Sequence, residues 1–159
     1  MGRHICAIDQ GTTGTTVLIL DDELNVVARV NQEFEQIYPK PSWVEHNPEA
    51  IWKSTLDTIA AASAQAGIQP SDIACVGITN QRETTVVWDR ETGEPIYNAI
   101  VWQDRRTSNR IKELRPSNEG PVQRKTGLIL DPYFSGTKIE WILDHVDGAR
   151  ARAERGELA

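Results

Sequence analysis

The stretch Asp9-Gln10-Gly11-Thr12-Thr13-Gly14, set between the apolar runs Ile5 to Ile8 and Val17 to Leu20, decides how the rest of the chain is read. Two short apolar runs joined by a polar, Gly-containing segment predict a β-hairpin. Gly11 and Gly14 permit φ > 0 and close backbone approach, so successive N–H groups can converge on an anion, with the Thr12 and Thr13 hydroxyls as further donors. Asp9, closing its strand, can hold a hydrated Mg²⁺. Neither a lysine nor a helical pattern follows the glycines, which excludes the Walker loop and the dinucleotide fingerprint. A phosphate cradle and an ordinary Gly/Thr turn both remain open on these residues alone.

The 159 residues suffice for one domain, which at this size buries about 70% of its unfolded surface. Charged residues at 25% and apolar residues at 39% place the chain among soluble globular proteins. No apolar run reaches the length of a membrane span, and Met1-Gly2-Arg3-His4 enters a strand without a secretory pattern. The expected location is the cytoplasm. A net charge of −6 argues against a sequence-independent grip on nucleic acid, which needs a basic surface. Cys6 and Cys75 lie in strand-like apolar runs without metal or redox spacing and read as small buried hydrophobes.

In chain order, the hairpin leads through Asp21-Asp22-Glu23-Leu24-Asn25 into a third strand, Val26 to Phe34. Two prolines stiffen Pro39-Lys40-Pro41-Ser42-Trp43-Val44-Glu45-His46 into a loop, and His46, without a partner at ligand spacing, reads as a surface or packing residue. Asn47-Pro48-Glu49 starts a helix, with Trp52, Leu56, Ile59, Ala62 and Ala66 as its expected core stripe and Gly67 as its stop. The run Ile73 to Ile78 is expected to be a strand buried on both faces. Strand, crossover helix and buried strand together imply an α/β fold. At this strand's end Thr79-Asn80-Gln81-Arg82-Glu83-Thr84 gathers polar side chains where open α/β sheets bind ligands.

A second hairpin is expected from Thr85 to Trp88 and Ile96 to Trp102. Gln103 to Arg115 reads as a helix whose Arg105, Arg106, Arg110, Lys112 and Arg115 form a solvated basic face. Residues 116 to 126 look turn-rich. Ser135 is the expected cap of a helix burying Ile139, Ile142, Leu143 and Val146, and Asp147 to Arg155 reads as a charged surface helix.

Several segments taken together closely resemble the N-terminal part of glycerol kinases, within the FGGY carbohydrate-kinase family. They are Asp9-Gln10-Gly11-Thr12-Thr13, Phe34-Glu35-Gln36-Ile37-Tyr38-Pro39-Lys40-Pro41, Trp43-Val44-Glu45-His46 and Gly77-Ile78-Thr79-Asn80-Gln81-Arg82-Glu83-Thr84. Trp102-Gln103-Asp104-Arg105-Arg106 and Asp131-Pro132-Tyr133-Phe134-Ser135-Gly136-Thr137-Lys138 continue the series. The resemblance implies a ribonuclease-H-like α/β fold of the actin and hexokinase type, with residues 1–159 forming an incomplete N-terminal domain. It also implies MgATP-dependent phosphorylation of glycerol to sn-glycerol 3-phosphate.

On that resemblance Thr12, Thr13 and Gly14 hold ATP phosphates, Thr12 also meets the product phosphate, and Asp9 acts through Mg²⁺, with water between. Arg82, Glu83, Trp102 and Tyr133 are the positions of the glycerol contacts. The chemistry agrees: Arg82 can donate to two hydroxyls, Glu83 can accept from another, Trp102 can wall the carbon chain, and Tyr133 brings a phenolic hydroxyl on an aromatic body. Without the resemblance, Arg82 and Glu83 could equally form a surface ion pair.

Many glycerol kinases continue their hairpin with Ser-Ser-Arg, where this chain has Gly14-Thr15-Thr16, so the arginine expected to reach the nucleotide is absent. The family's catalytic base, adenine pocket and second domain are expected beyond Ala159, and the isolated chain is expected not to turn over. A homo-oligomer of the full-length parent is compatible with the resemblance. The competing readings are a non-catalytic nucleotide- or polyol-binding module and a kinase for another polyol or sugar.

Overall fold

The computed structural model describes residues 3–159; Met1 and Gly2, part of the N-terminal reading, lie outside the described residues. Its first elements are β1 (His4–Gln10), β2 (Gly14–Leu20), β3 (Val26–Glu33), β4 (Glu45–His46), α1 (Pro48–Ala66) and β5 (Ile73–Asn80). Then come β6 (Ala99–Ile100), α2 (Ser108–Thr126), α3 (Ser135–His145) and α4 (Ala149–Glu154). The chain divides into two units, one holding the residues up to Gln36 with Glu49–Gln81, the other Ile37–Pro48 with Arg82–Ala159.

In the first unit a four-stranded sheet runs in the order β3-β2-β1-β5. The β1–β2 and β2–β3 pairs are antiparallel, as hairpins require, and β1–β5 is parallel across the α1 crossover. Cys6, Ile8, Val17, Ile19, Ala28 and Ala62 form its core, with Ile59, Ala66 and Ile73 packed at the margin.

The helix α1 follows its expected stripe only in part, at Ile59, Ala62 and Ala66. Its buried residues are Ser54, Thr58 and Ala62, while Trp52 and Leu56 are exposed. Ser54 shares a 2.9 Å hydrogen bond with the buried Thr15 hydroxyl of β2, and Thr58 satisfies its own hydroxyl on the Ser54 carbonyl. Small side chains with their polar atoms paired let the helix sit close to the sheet, so packing distance outweighed hydrophobicity.

The expectation for β5 is also corrected. It is the edge of the sheet, and Val76 and Ile78 are 55% and 72% exposed. Register places Val76 opposite Cys6 and Ile8 opposite Ile78, so β5 extends the core face past its cover. Cys75 is exposed too, and only Cys6 of the two thiols is buried.

In the second unit β4 pairs antiparallel with β6. The expected hairpin is reduced to isolated bridges, Thr85 to Ile100 and Trp88 to Pro95, because Trp88 exchanges its backbone bonds with Ala159 instead. Val87, Ile100, Ile142, Ala149 and Leu158 form this unit's core.

The second long helix, α2, starts at Ser108 and runs on through Pro116 and Pro121 to Thr126, where Gly127 caps it at φ 75°. Gln103 to Thr107 are therefore not helical, and the stretch expected to be turn-rich is. The basic face is kept in part: Arg110, Lys112 and Arg115 lie exposed on α2, whereas Arg106 lies outside the helix with its side chain fully buried between Glu45 and Asp104. Arg105, Arg110 and Arg115 pair with Asp131, Glu140 and Glu119. In α3 the cap is Phe134, with Ser135 the first helical residue. Ile142 is buried while Ile139 remains 40% exposed. The surface helix near the C-terminus shortens to α4.

Candidate functional site

The residues expected to cradle phosphate lie in the first unit. Gly11 N–H donates to the Gly14 carbonyl at 2.9 Å and closes the turn between β1 and β2. Neither glycine has a positive φ, so their conformational freedom is not the reason for them. Gly14 is required by proximity: a Cβ there would stand 2.5 Å from the Gln32 carbonyl oxygen of β3. The turn is secured by two glutamines. Gln81, buried at the end of β5, donates its N–H to the Gln10 carbonyl at 2.9 Å and its Nε2 to Gln10 Oε1 and the Gly11 carbonyl. Gln36 Nε2 donates to the Thr12 carbonyl at 3.0 Å.

Carbonyl oxygens that would repel an anion are thereby engaged. Thr13 is exposed and Thr12 half-buried. Register aligns Asn31, Thr16, Asp9 and Thr79 across all four strands, a polar row at the turn end of one sheet face. Asp9, Thr16 and Thr79, with Arg29 from β3, line a cavity of about 730 Å³ on that face. The residue at 16 does what a threonine can: its hydroxyl accepts from Asn31 Nδ2 at 2.9 Å.

The residues expected to contact the polyol lie in the second unit. Trp102 and Tyr133 meet edge to face, their centroids 6.0 Å apart at 70°, and Tyr133 meets Phe134 in the same way at 5.1 Å. Such pairs hold aromatic planes in fixed relation. Glu83 has φ 66°, a conformation non-glycine residues adopt only when their surroundings enforce it. Its Oε2 accepts from Ser135 N–H at 2.9 Å and Ser135 Oγ at 2.8 Å. The carboxylate thus caps the N-terminus of α3, where negative charge meets the helix dipole. Its other oxygen makes neither bond.

Lys138, one turn into α3 and with no exposed surface, donates to the carbonyls of Glu83 at 2.7 Å and Tyr133 at 2.6 Å. Burial lowers its pKa to about 8. Arg82 is exposed, and among the described residues the Glu83 carboxylate bonds Ser135 and not Arg82.

Beneath this cluster the Arg106 guanidinium bonds Glu45 and Asp104 and lies 3.9 Å from the Trp43 ring centroid. Asp104 in turn accepts the Val44 N–H at 2.7 Å. This buried network joins the loops around β4 to the segment carrying Trp102. His46 is fully buried, so it is a packing residue and not a surface one, and desolvation lowers its pKa to about 4.

The FGGY family of carbohydrate kinases, N-terminal domain, matches residues 4–157. The chain belongs to that family. Among curated FGGY relatives, the glycerol kinase of Klebsiella pneumoniae is 57% identical over 157 residues, covering 98% of this chain and 31% of that protein. The glycerol kinase of Rhizobium rhizogenes is 58% identical over 159 residues, covering 99% of this chain and 32% of its own length. The crystal structure of Plasmodium falciparum glycerol kinase with ADP superposes with a TM-score of 0.92 at 36% identity, over 98% of this chain and 31% of that one. A xylulose kinase from Rhodospirillum rubrum matches with a TM-score of 0.82 at 25% identity, over 92% of this chain and 31% of that one.

These neighbours are sugar kinases of the actin and hexokinase type, so the α/β expectation holds. The chain spans about a third of the length of the relatives it matches. Ser135 entered the sequence reading as a helix cap and Lys138 only as a motif letter; neither was read as holding Glu83. The available signal was a lysine spaced i, i+4 with buried Ile142, a charge at a core position.

Proposed function

We propose that this FGGY chain is the N-terminal part of an ATP-dependent glycerol kinase, transferring a phosphoryl group to glycerol to give sn-glycerol 3-phosphate. The observation that carries the reading is the Glu83 carboxylate, fixed by Ser135 in the unit where Trp102 and Tyr133 pair. A rigid acceptor with an aromatic wall suits a small polyol with an apolar carbon backbone. The high identity to proteins named glycerol kinase supports the choice among family substrates.

Phosphoryl transfer is mainly positioning and charge neutralisation. In the proposed mechanism Glu83 accepts a hydrogen bond from one glycerol hydroxyl, and Arg82 donates to others through its fork. Trp102 and Tyr133 exclude water from the carbon chain. Thr12, Thr13 and Gly14 take ATP phosphate oxygens, and Thr12 meets the product phosphate. Asp9 suits Mg²⁺: it is a lone carboxylate among hydroxyls, with no cluster of acidic or imidazole ligands among the described residues. Magnesium binds through one or two carboxylates, water and substrate phosphates. When bound, it neutralises charge on the transferring group. No residue of this chain is assigned as the catalytic base.

The test is a hybrid enzyme in which this chain replaces the matching segment of the Klebsiella pneumoniae protein. Glycerol-dependent ATP consumption, exceeding that with xylulose and other polyols, is the expected result. Preference for another polyol would reassign the substrate, and nucleotide binding without turnover would favour a binding module.

A further inference from the structure

We infer that Lys138 and Ser135 are positioning residues that set the affinity for the polyol by fixing Glu83, an inference that rests on the glycerol reading for its functional half. Glu83 and Tyr133 lie far apart in sequence and belong to different loops. Lys138 Nζ ties them through their backbone carbonyls, at 2.7 and 2.6 Å. Ser135, three residues before it on the same helix, ties the Glu83 carboxylate through both N–H and Oγ. One turn of α3 therefore grips Glu83 at its main chain and its side chain.

The backbone at Glu83 needs such a grip. Its φ of 66° costs roughly 1–3 kcal/mol when a non-glycine residue is held there, and the Lys138 bond is a charge-assisted one to that same residue. With Oε2 committed to Ser135, rotation of the carboxylate is blocked and Oε1 keeps one direction. An acceptor already fixed before binding loses less freedom on meeting a hydroxyl.

Lys138 is also placed where a charge is expensive. It has no exposed surface, and burial lowers its pKa while the charges of Glu83, Asp104 and Asp131 oppose that lowering. A lysine needed only for packing would be better replaced by an apolar side chain of similar length. Its reach to two carbonyls is what an apolar side chain lacks.

The structural half is tested on the 159-residue chain by amide hydrogen exchange, without any ligand. Lys138→Met is expected to speed exchange at the Ser135 amide by about tenfold or more as Glu83 leaves the helix end, while β1 and β2 amides are unchanged. Unaltered protection at Ser135 would overturn the inference. The functional half uses the hybrid enzyme with Ser135→Ala, a small change that keeps the N–H bond and the fold. Its glycerol KM is expected to rise by about three- to tenfold, with the ATP KM within about twofold. Lys138→Arg, which retains donors, should recover part of the glycerol affinity lost in Lys138→Met. Equal rises for glycerol and ATP, or none, would contradict positioning. If the unaltered hybrid ignores glycerol while the exchange result holds, the glycerol reading fails and the grip on Glu83 stands.

Discussion

At the scale of single residues, the chain's chemistry depends on groups held by neighbours that a linear reading passes over. Glu83 is recognisable within Asn80-Gln81-Arg82-Glu83-Thr84, yet its left-handed backbone and its place on the end of α3 come from contacts across the sequence. Gly14 was legible as a required glycine but for another reason, since its constraint is the Gln32 carbonyl and not a positive φ. Gly14→Ala must push β3 away and is expected to destabilise the chain by about 1–3 kcal/mol. Gly11→Ala, whose Cβ would meet the Gly14 carbonyl at 3.2 Å, should lose less. Urea midpoints of the two variants decide this, and equal losses would refute the proximity argument.

Among elements, the hairpin and the α1 crossover follow from sequence because turn chemistry and caps are local. Burial followed only in part, since Ala62 is in the core and Ile59 and Ala66 pack against it. Trp52 and Leu56 look like core and face outward, whereas Ser54 and Thr58 look like surface and face the sheet, because close packing with paired hydroxyls is invisible to hydrophobic spacing. The second helix was misplaced because the prolines at 116 and 121, with Ser117, Asn118 and Gly120 between them, all argue locally for a break, and nothing local announces that the helix continues.

Two predictions belong to strands. On β5, Ile78→Lys should cost less than about 0.5 kcal/mol because the side chain is 72% exposed, and it should reduce self-association at this uncharged edge. Sedimentation velocity and urea melts measure both, and a core-sized loss of stability would contradict an exposed edge.

On β4, the His46 imidazole is held neutral, its pKa lowered from 6.5 to about 4. A base with a depressed folded pKa leaves the unfolded chain binding more protons below its ordinary value. Stability is therefore unaffected above about pH 6.5 and falls as pH drops from there toward about 4. The whole shift is worth about 3 kcal/mol. His46→Gln should flatten the pH dependence between 7 and 5 in urea melts at about those values, and an unchanged slope would remove His46 as its source.

For the whole molecule, the family and the α/β class were readable because several motifs stand in fixed order along the chain, matching 4–157. The division into two units, each with its own core, was not, since it depends on which distant segments pack together. Spanning about a third of its relatives, the chain by itself is expected to show no glycerol-dependent ATP consumption. Robust turnover by the chain alone would overturn that expectation. The central claim is that Glu83 belongs to the polyol side of the reaction, and its most direct test compares Glu83→Ala with the unaltered hybrid enzyme in parallel glycerol and ATP titrations. The account predicts a glycerol KM raised by about tenfold or more with the ATP KM within about twofold; equal changes in both, or an unchanged glycerol KM, would contradict it.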